Sequence, residues 1–118
     1  MVRSSRLMVA RGTVLIVSVG GGLGGKPRPA IVIQASQFDF PETIIVVPLT
    51  TRTAEDNAVM PVLLPDEQNG LVDASKAMTH RISAIRKSDI GRVAGTLSAK
   101  DMERVDAALQ IVLGIGVN

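Results

Sequence analysis

Residues 30–50 have the sequence AIVIQASQFDFPETIIVVPLT and contain two apolar runs rich in β-branched residues, at 30–34 and 43–48. Such runs are typical of strands, and Pro41 in the segment between them favours a turn. A crossover to a parallel strand takes about a dozen residues or more, which is longer than this connection. The two runs therefore predict neighbouring antiparallel strands.

Apolar runs separated by turn residues continue on both sides of this segment. Further strands are predicted at residues 13–19 and 60–64, and two more strand candidates lie within 77–85 and 92–97. Pro61 cannot donate a ladder hydrogen bond, which places its strand at an edge of the sheet. Connections this short leave no room for crossover helices, so the sheet is predicted to be mainly antiparallel.

The C-terminal segment changes to a helical period. Ser98 suits the N-cap, Asp101 lies in the first turn, where an acid suits the helix dipole, and Gly114 and Gly116 lie where a C-cap belongs. One apolar stripe recurs at helical spacing and consists of Met102, Val105, Ala108, Leu109 and Val112. This stripe predicts a helix packed on the sheet or on a second subunit.

These patterns predict an α+β fold that is mainly β, with a C-terminal helix. We expect a small, strongly bent antiparallel sheet or SH3-like barrel, followed by that one helix. A length of 118 residues allows one modest core and not two, which favours a single domain over residues 1–118. Residues 1–10 are expected to form a flexible or extended N-terminal tail.

The composition permits an anionic partner without demanding one. The net charge is +2, and basic residues crowd into residues 3–11, 26–28 and 76–92. A positive patch on one face would favour nucleic acid, although evenly solvated charges fit the composition equally well. The chain has no cysteine, which removes disulfides and thiolate chemistry, and no apolar run approaches the roughly 20 residues of a membrane helix. A soluble, cytoplasmic protein is expected.

The glycine-rich residues 20–26 (GGGLGGK) follow a predicted strand and formally match two phosphate-binding patterns, G-x-x-x-x-G-K and G-x-G-x-x-G. Both kinds of site need a helix that begins directly after the loop and points its amides at phosphate. Here Pro27 and Pro29 follow, favour extended backbone and remove two donors. The stretch is therefore predicted to be a mobile hairpin loop and not a nucleotide site.

Several short motifs are informative because of their order along the chain. They are Arg11-Gly12, residues 26–33 (KPRPAIVI), 46–51 (VVPLTT), 70–75 (GLVDAS) and 82–87, Gly95-Thr96-Leu97, and the helix end at 107–115. Each motif alone is weak, whereas their joint order and spacing over residues 11–115 are specific. Together they resemble the MazF/PemK family of toxins.

This resemblance implies a homodimer with an SH3-like barrel of the MazF/CcdB type. It implies a sequence-specific endoribonuclease that cleaves single-stranded RNA such as mRNA without a metal or other cofactor, and that inhibits translation and growth. A cognate antitoxin with an acidic, flexible tail would neutralise it in a type II toxin–antitoxin system. The family's catalytic Arg precedes Pro at the head of the second strand, where Arg28 matches it. Its catalytic Thr ends the V-P-x-T of the third strand, where Thr50 matches it.

Arg28 and Thr50 suit RNA cleavage by the substrate's own 2′-hydroxyl. That reaction leaves a 2′,3′-cyclic phosphate, and it needs a base, an acid for the leaving 5′-oxygen and stabilisation of charge on the phosphoryl oxygens. A guanidinium presents a fixed fork of donors that fits phosphate, and a threonine hydroxyl donates one more hydrogen bond. Because a guanidinium is a poor base, Arg28 is expected to stabilise charge or to act as the acid.

The chain departs from the family pattern in two places. Many members carry G-x-E-Q in the first loop, where this chain has residues 22–25 (GLGG), so the family's RNA sequence preference does not carry over. Members also tend to have an acidic residue followed by Gln where His80 and Arg81 align. His80 is the only histidine, and it could supply the base because imidazole titrates near neutral pH. A structural or surface role is the alternative.

Other side chains are candidates for contact with RNA. The predicted phosphate contacts, each with solvated surface charge as the alternative, are Arg11, Lys26, Arg52, Arg81, Arg86 and Lys87. Phe38 and Phe40 could stack on bases, but their two-residue spacing favours one ring anchoring its loop against the core.

Two other functions fit the same fold. CcdB-like toxins poison DNA gyrase by binding it, without chemistry of their own. That family relies on a C-terminal Trp-Gly ending, and this chain has no tryptophan. A catalytically inactive binding module is the third hypothesis, because the first loop is altered.

Overall fold

The computed structural model describes residues 9–18, 25–53 and 58–116. Residues 1–8 of the predicted tail and 20–24 of the predicted hairpin loop lie outside these ranges. Within them the strands are β1 (Thr13–Val17), β2 (Arg28–Val32), β3 (Thr43–Thr50), β4 (Val62–Leu63), β5 (Ser75–Ala77), β6 (Ser83–Arg86) and β7 (Ile90–Thr96). Two 3₁₀ turns span Thr79–Arg81 and Lys87–Asp89, and the helix α1 spans Ala99–Leu113.

Every strand pairing in the described ranges is antiparallel, as the short connections predict. The order across the sheet is β4-β5-β3-β2-β1-β7, with β4 at an edge as Pro61 predicts, and β6 pairs with β3 outside this path. One edge of β3 pairs with β2, and its other edge pairs with β6 over residues 43–46 and with β5 over residues 49–50. The result is a curved, half-barrel sheet with one C-terminal helix, which confirms the predicted fold class.

Apolar side chains cover both faces of the sheet, because successive strand residues point to opposite sides. The cluster beneath α1 includes Val14, Ile31, Val47 and Leu49 with Val105 and Leu109 of the helix. The cluster on the other face consists of Leu15, Val17, Ala30, Val32, Ile44 and Val46. The helix therefore covers one face, and the second face is left to border the site described below.

Helix α1 begins and ends where the sequence predicts. The Ser98 side chain accepts a hydrogen bond from the Asp101 amide at 3.1 Å, and Gly114 adopts the left-handed conformation with φ 69°. Val105, Ala108 and Leu109 of the predicted stripe are buried, and Met102 packs against the same cluster. The stripe packs on the sheet, which was one of its two predicted partners.

The strand candidate at residues 77–85 is not one continuous strand. β5 ends at Ala77 and β6 begins at Ser83. Between them the Arg81 amide donates to the Met78 carbonyl at 2.9 Å, and the buried Thr79 hydroxyl donates to the Val59 carbonyl. The second of these bonds joins residues far apart in sequence, which is why local patterning did not reveal the turn.

β2 begins two residues earlier than predicted and ends two residues earlier. The ladder stops after Val32 because the amides of Ile33 and Gln34 both donate to the Ile45 carbonyl, at 3.1 and 3.3 Å. The Gln34 side-chain oxygen accepts a hydrogen bond from the Ile45 amide at 3.1 Å. The consequence for the site is that Arg28 lies within the strand and not in the loop before it.

The expectation that Phe38 or Phe40 anchors its loop against the core is wrong. The rings are 54% and 47% exposed and stack on each other, with centroids 6.3 Å apart and planes within 2°. Polar contacts hold the loop instead. Gln34 donates to the Phe38 carbonyl at 2.9 Å, and Lys87 pairs with Asp39 at 2.7 Å.

Candidate active site

A groove of about 880 Å³ lies on the second face of the sheet, where Val17, Ala30 and Val46 line it. The other lining residues belong to β2, β3, β5 and β6, to the segments next to these strands, and to the residues just before β4. Its basic side chains are Lys26, Arg28, Arg52, Lys76, His80 and Arg81. In the described part of the chain no acidic side chain lines it. The charged side chains that line the groove in these ranges are therefore all basic.

Strand register brings the two predicted catalytic residues together. Ala30 lies opposite Pro48 in the β2–β3 ladder. The same register, continued two residues along both strands, places Arg28 opposite Thr50. Side-chain alternation puts this pair on the face of Ala30 and Pro48, and all four residues line the groove.

The Thr50 hydroxyl has a defined local partner. It accepts a hydrogen bond from the Arg52 amide at 3.2 Å. A hydroxyl has one proton to donate in addition to its acceptor lone pairs, and this bond does not use that proton. Thr50 can therefore donate to a ligand in the groove while the backbone holds its oxygen in place.

His80 and Arg81 extend from the 3₁₀ turn at Thr79–Arg81 and are both exposed. The turn is fixed at each end. The Met78 amide donates to the Pro48 carbonyl at 2.9 Å, and the Ser83 hydroxyl donates to the Arg81 carbonyl at 2.9 Å. An anchored turn thus carries an imidazole and a guanidinium to the same groove as Thr50.

Lys26 and Arg52 complete the set of predicted residues that the structure brings together. Lys26 lies two residues before β2 and Arg52 two residues after β3, and both are exposed. Because Arg28 and Thr50 are the terminal residues of those strands, all four side chains gather at one end of the β2–β3 pair.

Three predicted phosphate contacts, Arg11, Arg86 and Lys87, do not line the groove. Arg11 forms an ion pair with Asp106 at 2.6 Å, Lys87 pairs with Asp39 at 2.7 Å, and Arg86 lies 3.7 Å from a carboxylate oxygen of Asp89. The hydrogen bonds that Arg11 donates to Asp106 raise the pKa of Arg11, burial opposes this rise, and the charge of Asp106 adds to it. RNA contact by these three side chains stays a prediction.

Lys76 is a groove residue that the sequence patterns did not single out. In the sequence, Lys76 is the first residue of the basic segment 76–92, and this position alone predicts no specific role for it. The structure places it directly opposite Thr50 in the β3–β5 ladder, with 8% of its surface exposed. Only the register of two distant strands reveals this position, and no local sequence signal carries it.

The described residues do not support three other features: a phosphate site at the glycine-rich segment, a metal site and a membrane-spanning helix. The residues after Lys26 form β2 and not a helix, so neither glycine-rich phosphate pattern has the helix it requires. Across residues 9–18, 25–53 and 58–116, no group of three or more His, Cys, Asp or Glu side chains could hold a metal ion. The one helix of the same ranges is too short to cross a membrane.

Residues 10–113 match the family described as PemK-like, MazF-like toxins of type II toxin–antitoxin systems. The chain belongs to this family. A curated relative, the probable endoribonuclease MazF of Mycolicibacterium smegmatis, is 32% identical over 105 residues, which cover 89% of this chain and 96% of the relative. The resemblance inferred from the motifs is confirmed, and the match does not favour the CcdB-like alternative.

Solved structures share the fold of this PemK/MazF-family protein. An endoribonuclease from a Mycobacterial species aligns with a TM-score of 0.77 at 17% identity, over 98% of this chain and all of the other. A Mycobacterial endoribonuclease in complex with its cognate antitoxin aligns with a TM-score of 0.74 at 19% identity, over 93% of this chain and 99% of the other. At these identities the comparisons establish the fold.

Proposed function

We propose that this toxin is an endoribonuclease of the cytoplasm that cleaves single-stranded RNA at particular sequences, without a metal, and so inhibits translation and growth. The observation that carries the proposal is the gathering of Arg28, Thr50 and His80 around one basic groove. A groove lined by cations suits a polyanion. The name of the relative, a probable endoribonuclease, supports RNA as that polyanion.

The proposed reaction uses only these side chains, the substrate and water. His80 takes the proton of the 2′-hydroxyl, whose oxygen attacks the adjacent phosphorus while the bond to the 5′-oxygen breaks. Arg28 donates a fork of hydrogen bonds to the phosphoryl oxygens as negative charge builds on them, and Thr50 donates one more. The leaving 5′-oxygen takes a proton from Arg28 or from water. The products are a 2′,3′-cyclic phosphate and a 5′-hydroxyl.

Single-turnover cleavage of a long RNA by purified variants tests this assignment. Arg28→Ala and Thr50→Val are each expected to lose about 10²–10³-fold in rate, as when one oxyanion donor is removed. Arg28→Lys should recover only part of the loss, because a point charge cannot reproduce the fork. Arg104→Ala is the matched control, since Arg104 lies on α1, outside the groove, and pairs with Asp101 at 3.1 Å. A folded Arg28→Ala protein that cuts at the wild-type rate would overturn the assignment.

The chemical mechanism has tests of its own. An RNA with one 2′-deoxy nucleotide at the cut site should bind and stay whole, because it lacks the nucleophile. Cleavage of the unmodified RNA should be the same in excess EDTA. Activity that disappears in EDTA and returns with added magnesium would contradict the metal-independent mechanism.

We also propose a cognate antitoxin that carries an acidic, flexible tail. A structural neighbour of this chain was solved in complex with its own cognate antitoxin, which supports a partner of this kind. The basic groove suits carboxylates for the same reason that it suits phosphates. Co-expression with a short acidic protein from the adjacent gene should relieve growth inhibition, and a toxin that stays active beside it would argue against that partner.

The active form is proposed to be a homodimer. Large apolar side chains are at least half exposed on β7 and near the end of α1, at Val93, Ile111, Leu113 and Ile115. Exposed apolar surface of this kind is typical of an association site. Light scattering at micromolar concentration should give twice the mass of 12.4 kDa, and a purely monomeric protein would refute the dimer.

A further inference from the structure

Lys76 and Thr50 are direct neighbours across the sheet, as partners in the antiparallel β3–β5 ladder. Residues directly opposite each other in such a ladder have their Cβ atoms about 4.5–5.5 Å apart. The lysine is therefore fixed beside the residue to which the proposed reaction assigns a hydrogen bond to phosphate.

Both side chains point to the groove. The next pair along the ladder is Leu49 with Ala77, and these two residues are buried in the cluster beneath α1. Because successive strand residues point to opposite faces, Thr50 and Lys76 lie on the face away from the helix. Their presence in the lining of the groove agrees with this geometry.

Arg28, Thr50 and Lys76 form a row across three adjacent strands, β2, β3 and β5. Neighbouring strands lie about 4.8 Å apart, so the row places one cation on each side of the threonine. Lys76 is also held from the far side, where Val62 of β4 lies opposite it, and only 8% of its surface is exposed. A lysine enclosed in this way has already lost the side-chain freedom that a surface lysine would lose on binding RNA.

We propose that the Lys76 ammonium donates a hydrogen bond to a non-bridging oxygen of the scissile phosphate, on the opposite side of Thr50 from Arg28. The proposal rests on the RNA cleavage proposed above. During 2′-hydroxyl attack the phosphoryl oxygens gain negative charge, and a fixed cation in a partly enclosed groove stabilises that charge more than it stabilises the ground state. Lys76 is thus a further catalytic residue, which leaves proton transfer to other groups.

Two quantities measured on one set of proteins test the assignment: the saturating single-turnover rate, and the affinity for RNA that carries a 2′-deoxy nucleotide at the cut site. Lys76→Met keeps the length of the stem and removes the charge. It is expected to lower the rate about 10²-fold and the affinity by less than about tenfold. Lys76→Arg should keep most of the rate. Lys100→Met, an exposed lysine on α1 outside the groove, should change neither quantity.

Coupling to Thr50 provides a second measurement. If Lys76 and Thr50 bind the same phosphate, the Thr50→Val, Lys76→Met double variant should lose less than the product of the two single losses. A fully multiplicative loss would place the two side chains on different groups and overturn the proposal. Circular dichroism and melting temperature show whether each variant is folded, and Lys76→Gln replaces Lys76→Met if the latter does not fold.

The outcomes separate this proposal from the one on which it rests. A wild-type protein that leaves RNA intact refutes the proposed function itself. If the wild type cleaves and a folded Lys76→Met or Lys76→Gln protein cleaves equally fast, only the role of Lys76 is refuted. Weaker binding with an unchanged saturating rate would place the ammonium away from the reacting phosphate and would also overturn the assignment.

Discussion

The guanidinium of Arg11 donates two hydrogen bonds to the carboxylate of Asp106, at 2.9 and 2.6 Å. Its Nε also donates to the Ile33 carbonyl at 2.9 Å. One side chain thus joins the residues just before β1, the residues just after β2 and the middle of α1. The pair lies outside the groove, so its contribution is to the attachment of the helix to the sheet.

Asp106→Asn is expected to lower the free energy of unfolding by about 1 kcal/mol, because both side chains are roughly one-third exposed and solvent screens them. Urea unfolding measures this loss. The raised pKa of Arg11 means that its stabilising effect is fully present below the ordinary guanidinium pKa and is lost only as pH rises above it. The difference in the free energy of unfolding between Asp106→Asn and wild type should therefore be the same at pH 7 and pH 9. Dependence on pH in this interval would contradict the argument.

Arg104→Gln is the matched control for this pair. Arg104 contacts Asp101 at 3.1 Å on the same helix, three residues away, so its loss does not separate helix from sheet. A smaller loss of stability is expected. Cleavage by the folded Asp106→Asn protein should match wild type, and a large fall in its rate would show that the Arg11–Asp106 pair also supports the groove.

Gly70→Ala is expected to lower the free energy of unfolding by about 3 kcal/mol or more. Gly70 has φ +70°, and a Cβ atom there would lie 2.1 Å from the Ala94 carbonyl oxygen of β7. The turn cannot move away easily, because the buried Asn69 side chain accepts from the Leu71 amide and donates to the Leu64 carbonyl, both at 2.9 Å. Thermal unfolding, or failure to obtain folded protein, measures the effect.

Gly114→Ala provides the control for backbone strain alone. Gly114 has φ +69°, but a Cβ atom there would meet nothing within 4 Å. We expect a loss of about 1 kcal/mol, as for a left-handed residue without a clash. Equal losses at the two glycines would show that the approach of β7 to Gly70 costs nothing.

The elements that the sequence predicts well are those whose cause is local. The run at residues 43–48 lies within β3, and Ser98 and Gly114 bound α1 because each acts on backbone groups a few residues away. The order of motifs likewise pointed to Arg28 and Thr50, and the fold brings both residues to one groove.

The features that the sequence did not predict depend on contacts between distant segments. In the turn at Thr79–Arg81, the Thr79 hydroxyl donates a hydrogen bond to the Val59 carbonyl. Arg11 pairs with the carboxylate of Asp106, which is 95 residues away in the sequence. The position of Lys76 follows from pairing with β3, which periodicity within β5 does not specify. Residue type and spacing therefore suggested the chemistry of the site, and only the register showed which cations share it.

An acidic peptide that represents the proposed antitoxin tail is expected to compete with RNA for the groove. Carboxylates can occupy the places of phosphates beside Arg52 and Arg81, so both ligands should bind more weakly as salt rises. Arg52→Ala and Arg81→Ala should weaken the binding of peptide and RNA together, whereas Arg104→Ala should weaken neither. Fluorescence anisotropy gives both affinities. Peptide that saturates the protein while RNA cleavage continues unchanged would refute a shared groove.

His80 is the only histidine of the chain, and it lines the groove. A neutral imidazole has one ring nitrogen that accepts a proton, which is what the proposed reaction requires of its base. If His80 is the base, His80→Ala should lose about 10²-fold or more in cleavage rate. Because His80 is exposed on an anchored turn, its removal should leave stability unchanged and leave room for added imidazole to restore part of the rate. Single-turnover rates of the wild type and of His80→Ala, with and without added imidazole, decide the role, and a His80→Ala protein that cleaves at the wild-type rate would return His80 to a surface role.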